Sequence, residues 1–231
     1  GTLAAGDYLK DHLSLKIAVV EATECPTLLN NGYGEHNIQG IGDKHVPLIH
    51  NVMNTDFVVG ISDQATNNLN MIFNTDIGQR YLTAKKGFDV ELINRLPEFG
   101  FSTIANILAS IKLAKYMNLG KDDAIITVAT DGADLYLSEL EKTKREFKGI
   151  YDESMCAEIY GQYLKGISAD HTLELNQKEK ERIFNLGYYT WVEQQGIDLE
   201  DFEKRRDQNF WNDHFQKMLS LDNQVKEFNN I

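Results

Sequence analysis

The stretch Glu98-Phe99-Gly100-Phe101-Ser102-Thr103-Ile104-Ala105-Asn106-Ile107-Leu108-Ala109-Ser110-Ile111 constrains this chain more than any other. It reads as a glycine turn, two hydroxyl residues, then a helix running to about Asn118 with Gly120 just past its end. Ile104, Ile107, Leu108 and Ile111 fall at i, i+3, i+4 and i+7, so one face of the helix is aliphatic. Ala105, Ala109 and Ala114 keep much of the rest small, which suits close packing on other elements. Ser102 or Thr103 stands where an N-cap belongs. One reading is that the hydroxyl only closes the helix, the commonest role of Ser and Thr there. The other is that a helix N-terminus with a free hydroxyl faces a ligand. The local sequence leaves both open.

A chain of 231 residues fits one α/β domain, alone or with an appendage. A net charge of −12 argues against nucleic acid or an anionic membrane as partner. No apolar run approaches the roughly 18 residues of a membrane span, and no signal peptide is visible. Cys25 and Cys156 show neither metal nor redox spacing, so the expectation is a reduced, cytoplasmic setting and no metal. The chain opens Gly1-Thr2-Leu3-Ala4-Ala5-Gly6 without a methionine and passes almost at once into a helical pattern. That reads as the later part of a longer protein.

Thr2 to Leu13 is expected as a helix whose N-terminus, at Gly1-Thr2, suits an anion. Leu15 to Ala22 is β-rich and reads as a buried strand, followed by a helix started by Pro26. His36 to Pro47 is a loop with Gly40 and Gly42 two apart, which lacks the third glycine of a dinucleotide fingerprint. His36, His45 and His50 have no Cys or carboxylate to complete a metal-ligand spacing. Asp56 to Ser62 is a second strand, and Asp63 to about Tyr81 a helix with Asp63 as its cap. A short helix is expected within Lys85 to Pro97. Ala124 to Thr130 reads as a third strand ending in Asp131-Gly132. Strand–helix alternation implies α/β architecture, a three-layer, Rossmann-like, partly parallel sheet flanked by helices. Ligands of such sheets sit at the carboxyl ends of strands, which makes Thr130 and Asp131 candidates, although Asp-Gly is also simply a good turn.

From about Ser138 the composition shifts to charged helices, and no further strand is expected. Asn176-Gln177-Lys178-Glu179 has the form of a capping signature for a helix to Leu186, and Asp198 is placed as the cap of a last helix. The aromatics of this tail, Tyr188, Tyr189, Trp191, Phe210, Trp211 and Phe215, need a cover, either the chain's own body or a subunit interface.

Four fragments then stand in one order: Gly1-Thr2-Leu3 opening a helix, Asn37-Ile38-Gln39-Gly40-Ile41-Gly42 with Val46-Pro47, Gly100-Phe101-Ser102-Thr103, and Thr130-Asp131-Gly132-Ala133-Asp134-Leu135-Tyr136. This order and spacing resembles the second half of pyridoxal-phosphate enzymes of fold type II, the cysteine synthase and tryptophan synthase β group. The resemblance covers roughly residues 1–138. It implies that residues 1–138 are the C-terminal part of the large domain and residues 139–231 a helical extension. It implies pyridoxal 5′-phosphate as cofactor and a small amino acid as substrate, handled by β-replacement, β-elimination or thiolytic cleavage. Gly1 and Thr2 match the end of the loop that holds the cofactor phosphate. Thr103, with Ser102 beside it, matches the residue facing the pyridine nitrogen. Gly40, Ile41 and Gly42 match the loop on the substrate side, and Asp131 stands at the end of the last strand. A neutral hydroxyl there gives no charge to stabilise a pyridinium, and the positive helix end disfavours one further.

Two departures accompany the resemblance. The family's Schiff-base lysine belongs to its first half, in a motif not found here, so the chain by itself is expected to be inactive. The Ser-Gly usual near the last strand is replaced by Asp131-Gly132-Ala133, and the tail is longer than in simple cysteine synthases. The tail looks more like larger relatives, among them the β subunit of 2-amino-4-oxopentanoate thiolase. The expected partner is a second copy in a homodimer or the preceding part of the protein. The alternative function is a non-enzymatic α/β interaction module or partner subunit.

Overall fold

The computed structural model describes residues 2–230, the Leu219 side chain apart. The chain divides into two compact units. The first takes the stretch to Ala18, His45–Phe57 and everything from Glu174, and the second takes Val19–Lys44 and Val58–Leu173.

The second unit holds the elements α2 to α8 and all but one residue of each strand. The strands β1 (Ala18–Ala22), β2 (Phe57–Ile61) and β3 (Thr172–Glu174) lie in the order β1-β2-β3. Phe57 N donates to Ile17 O and Thr23 N to Ile61 O, each at 3.0 Å, so β1 and β2 run parallel. Gly60 N donates to His171 O (2.8 Å) and Leu175 N to Asp56 O (2.8 Å), so β3 runs antiparallel to β2. The fold is thus α/β, with a small mixed sheet among many helices. Every residue of β2 is buried, which explains a sequence apolar throughout rather than alternating.

Three expectations are corrected here. Ala124 to Thr130 is not a strand: it has no regular secondary structure and is exposed throughout, with Ile126 at 75%. Its β-branched residues suit a pleated, half-buried surface, but a strand needs a neighbour to complete its ladder. The third strand is instead β3, downstream of Thr130, too short to leave a pattern in the sequence. The helix expected over Asp63 to Tyr81 is broken into α3 (Asp63–Asn74) and α4 (Asp76–Lys86). Thr75 causes the break. Its backbone is extended, and its hydroxyl donates to Met71 O (2.7 Å) and accepts from Gly78 N (3.1 Å). A Cβ on Gly78 would lie 2.2 Å from Ile72 O, so only glycine lets α4 start so close to α3.

The helix α5 (Val90–Arg95) leads by a 3-10 turn at Leu96–Glu98 into α6 (Phe101–Tyr116), the longest helix of this unit. Ile104 and Leu108 are buried as the periodicity requires, but Ile107 and Ile111 are only half-buried. The buried stripe instead takes in Phe101, Ala105, Ala109 and Lys112. Lys112 Nζ donates to Gly60 O (3.1 Å), Asp170 O (2.9 Å) and Asp170 Oδ1 (2.8 Å), so all three of its protons are engaged. The unit is completed by α2 (Thr27–Asn30), α7 (Leu137–Glu146) and α8 (Glu153–Tyr160).

The first unit holds α1 (Thr2–Leu13), α9 (Gln177–Tyr188), α10 (Leu199–Lys204) and α11 (Gln208–Asn229). Asn176 caps α9 as expected, accepting from Glu179 N at 3.0 Å. Asp198 caps only the short α10, and the last helix has its own cap in Asp207. Lys10 Nζ donates to Asp56 Oδ2 (2.5 Å) and Asn54 O (2.6 Å), and Lys180 Nζ to Met53 O (3.0 Å). These bonds tie α1 and α9 to the 3-10 turn Val52–Asn54. Trp191 Nε1 donates to Val46 O at 2.7 Å, so this tail aromatic is covered within its own unit.

Candidate functional site

The start of α6 is built from a glycine and two hydroxyls. Gly100 is the N-cap, with an extended backbone and no side-chain cap bond. Neither Ser102 nor Thr103 is therefore the cap, which corrects that reading of the sequence: both lie inside the first turn and are buried. A Cβ on Gly100 would fall 2.2 Å from Asp131 Oδ1 and 2.8 Å from Tyr136 Cε2. The missing side chain lets the segment around Asp131 lie against the helix start, where Gly100 N donates to Asp131 O at 2.8 Å.

Ser102 Oγ is hydrogen-bonded to Thr130 Oγ1 at 2.8 Å, and Thr130 Oγ1 donates to Asp131 Oδ1 at 3.2 Å. Tyr136 OH donates to Asp131 Oδ2 at 2.5 Å. Burial first, then the bond to Asp131 and its charge, pushes the Tyr136 phenol up to about 12. Thr103 differs from all of these. Its residue is 2% exposed and its hydroxyl has no hydrogen-bond partner. An orphaned hydroxyl at this depth carries an unrecovered desolvation cost, unless a ligand faces it.

The structure thus brings Ser102, Thr103 and Asp131 together at one helix end. Beside Asp131 a cavity of about 500 Å³ is lined by Pro97, Glu98, Thr130, Asp131 and Asp134 among others, with neither Ser102 nor Thr103 in its wall. Tyr136 was not singled out from the sequence; only its place in the run 130–136 hinted at it.

Gly40, Ile41 and Gly42 stand on a different support. Asn37 N and Ile38 N donate to the two oxygens of Asp63, at 2.7 and 3.1 Å, which anchors the loop to the start of α3. Burial raises the Asp63 carboxyl above its usual range despite these bonds, and the charge of Glu24 adds to the rise. Asp63 is therefore not the N-cap of α3: that place belongs to Ser62, which accepts from Ala65 N at 3.2 Å. Gly40 and Gly42 have φ of +83° and +86°, the left-handed region that glycine occupies without strain. Nothing lies within 4 Å of a Cβ built on Gly40, whereas one on Gly42 would meet His36 Nε2 at 3.0 Å. A second cavity, of about 600 Å³, is lined by Glu24, Asp63, Glu146, Phe147, Glu158 and Tyr163 among others. Its acidic lining is the wrong sign for a phosphate.

Thr2 opens α1 in the first unit, exposed, with no acidic residue in the first turn of that helix. Gly1 lies outside the described residues. Among the described residues no group of three or more His, Cys, Asp or Glu side chains is placed to hold a metal ion. No described helix is long and apolar enough to cross a membrane.

No family model matches the chain. Cysteine synthase B of Campylobacter jejuni is similar to it, 33% identical over 140 residues that cover 60% of this chain and 40% of the relative. The chain therefore spans well under half the length of that curated relative. This likeness supports the resemblance drawn from the four sequence fragments.

Proposed function

We propose that this chain is part of a pyridoxal-phosphate-dependent enzyme acting on a small amino acid, by β-replacement or β-elimination or by thiolytic cleavage. The observation that carries the reading is the Thr103 hydroxyl, buried and unpartnered at the N-terminus of α6. The residues fit the cofactor. Thr103 would hold the pyridine nitrogen through a neutral hydroxyl. Ser102, bonded to Thr130, would set the orientation of that turn. Gly40, Ile41 and Gly42 would line the substrate side, where the two glycines hold left-handed backbone and a Cβ on Gly40 would meet nothing within 4 Å. Asp131 would stand at the rim, held by Thr130 and Tyr136.

Bound pyridoxal phosphate supplies the electron sink for losing or replacing a β-substituent. The protein's part is to keep that sink mild. A helix N-terminus and a neutral hydroxyl both disfavour a proton on the ring nitrogen. No lysine of this chain is assigned the covalent link, and Lys112 is fully engaged with Gly60 and Asp170. The test is a Thr103 series in the whole protein loaded with pyridoxal phosphate. Thr103→Asp is expected to protonate the ring and divert turnover toward transamination. Thr103→Ser is expected to be mild, and Thr103→Ala to weaken cofactor binding by one hydrogen bond, about 0.5–1.5 kcal/mol. A whole protein that shows no visible cofactor band would end the proposal. A Thr103→Asp variant with unaltered reaction specificity would remove Thr103 from the ring nitrogen.

A further inference from the structure

The helix α11 has none of its described residues buried. Its first turns keep Phe210, Trp211 and Phe215 half-buried, and Trp211 Nε1 donates to Arg205 O at 2.9 Å. Beyond them Met218, Leu221, Val225 and Phe228 follow at intervals of three, four and three residues, which places all four on one face. All are exposed, between 49% and 76%. A surface helix ordinarily turns such a stripe into the core. Here it faces water.

We infer that this stripe is where two copies of the chain meet, as a parallel, in-register pair of α11 helices. The flanking residues select that arrangement. With Met218 and Val225 at a and Leu221 and Phe228 at d, Lys217 falls at g and Asp222 at e. In a parallel pair each g residue faces the e residue five positions on in the other helix. Lys217 then meets Asp222 of the partner subunit, twice by symmetry. The remaining g–e pairs are Phe210 with Phe215 and Gln224 with Asn229, apolar with apolar and amide with amide. An antiparallel pair that stacks the same four residues sets Asp222 against its own copy, which is repulsive. Within its helix Asp222 is paired through Oδ2 with Lys226 Nζ at 2.6 Å, and its other oxygen remains for Lys217. The seam is short, since His214 takes the preceding d position, so the dimer depends on concentration.

Leu221→Cys tests the arrangement directly. A d residue faces its own copy only when the helices are parallel and in register, and the native cysteines Cys25 and Cys156 are buried. Mild oxidation is expected to give a disulfide-linked dimer with Leu221→Cys and none with Asn223→Cys on the outer face. In sedimentation, Lys217→Asp is expected to weaken the dimer several-fold, and Lys217→Asp with Asp222→Lys to restore it. A chain that stays monomeric at all concentrations would overturn the inference. So would a dimer that does not cross-link at Leu221→Cys, or one that cross-links equally at Asn223→Cys. None of these outcomes depends on the cofactor chemistry proposed above.

Discussion

The N-termini of α3 and α6 use the same kinds of residue and finish differently. Ser62 stands at the cap position of α3 and bonds Ala65 N. Thr75 does the same for α4, and Asn176 for α9. At α6 the cap position falls to Gly100, and the hydroxyls stand inside the turn. Ser102 bonds Thr130, and Thr103 bonds nothing. A shift of two or three residues separates a closed helix end from an open one. That shift is what a lone sequence does not reveal, because Ser and Thr near a helix start read alike in both cases.

The contrast can be broken or sharpened by experiment. The largest effect is expected at Gly100→Ala, whose Cβ would meet Asp131 Oδ1 at 2.2 Å. Displacing that segment should destabilise by about 3 kcal/mol in denaturant unfolding. An unchanged midpoint would mean that the open end of α6 is not held by its neighbours.

Next comes Tyr136, whose phenol is raised from 10.0 to about 12. The folded form keeps its proton where the unfolded form loses it. The stabilisation is therefore complete below pH 10 and is lost as pH rises toward 12. A spectroscopic titration should find Tyr136 among several late-ionising tyrosines, Tyr151 with it, and Asp131→Asn should bring Tyr136 alone earlier. A titration that Asp131→Asn leaves unchanged would show that Asp131 does not hold Tyr136.

Ser62→Ala removes a working cap and should cost about 1 kcal/mol. Thr103→Val should have the smallest effect on stability without cofactor, within about 0.5 kcal/mol or slightly stabilising, because it removes a hydroxyl that bonds nothing. If Thr103→Val proves as costly as Ser62→Ala, the two helix ends are equivalent and the contrast collapses.

Much of the fold was legible wherever the signal was local. The helix α1, the strand β2 and the cap of α9 follow from periodicity, apolar run and capping residue. The failures required knowledge of neighbours. Ala124 to Thr130 has the composition of a strand but no strand to pair with, and β3 has a partner but almost no composition. The break at Thr75 depends on Gly78 approaching Ile72, a contact between helices that no helical period encodes. In the candidate site, the order of fragments singled out Ser102 and Asp131, which hydrogen bonds link through Thr130, and Thr103, whose hydroxyl is buried without a partner. It did not reveal that Tyr136 would clasp Asp131, since that bond depends on how the chain turns at Gly132.

The bare run Ala124 to Thr130 has a consequence for handling the protein. Pairing between two such runs is bimolecular, so its rate climbs with the square of concentration, whereas folding of a single chain is indifferent to dilution. Heavy expression therefore sets the two in a race that slow synthesis avoids. Yield in the soluble fraction should rise when the chain is made slowly and in the cold, before any residue is changed.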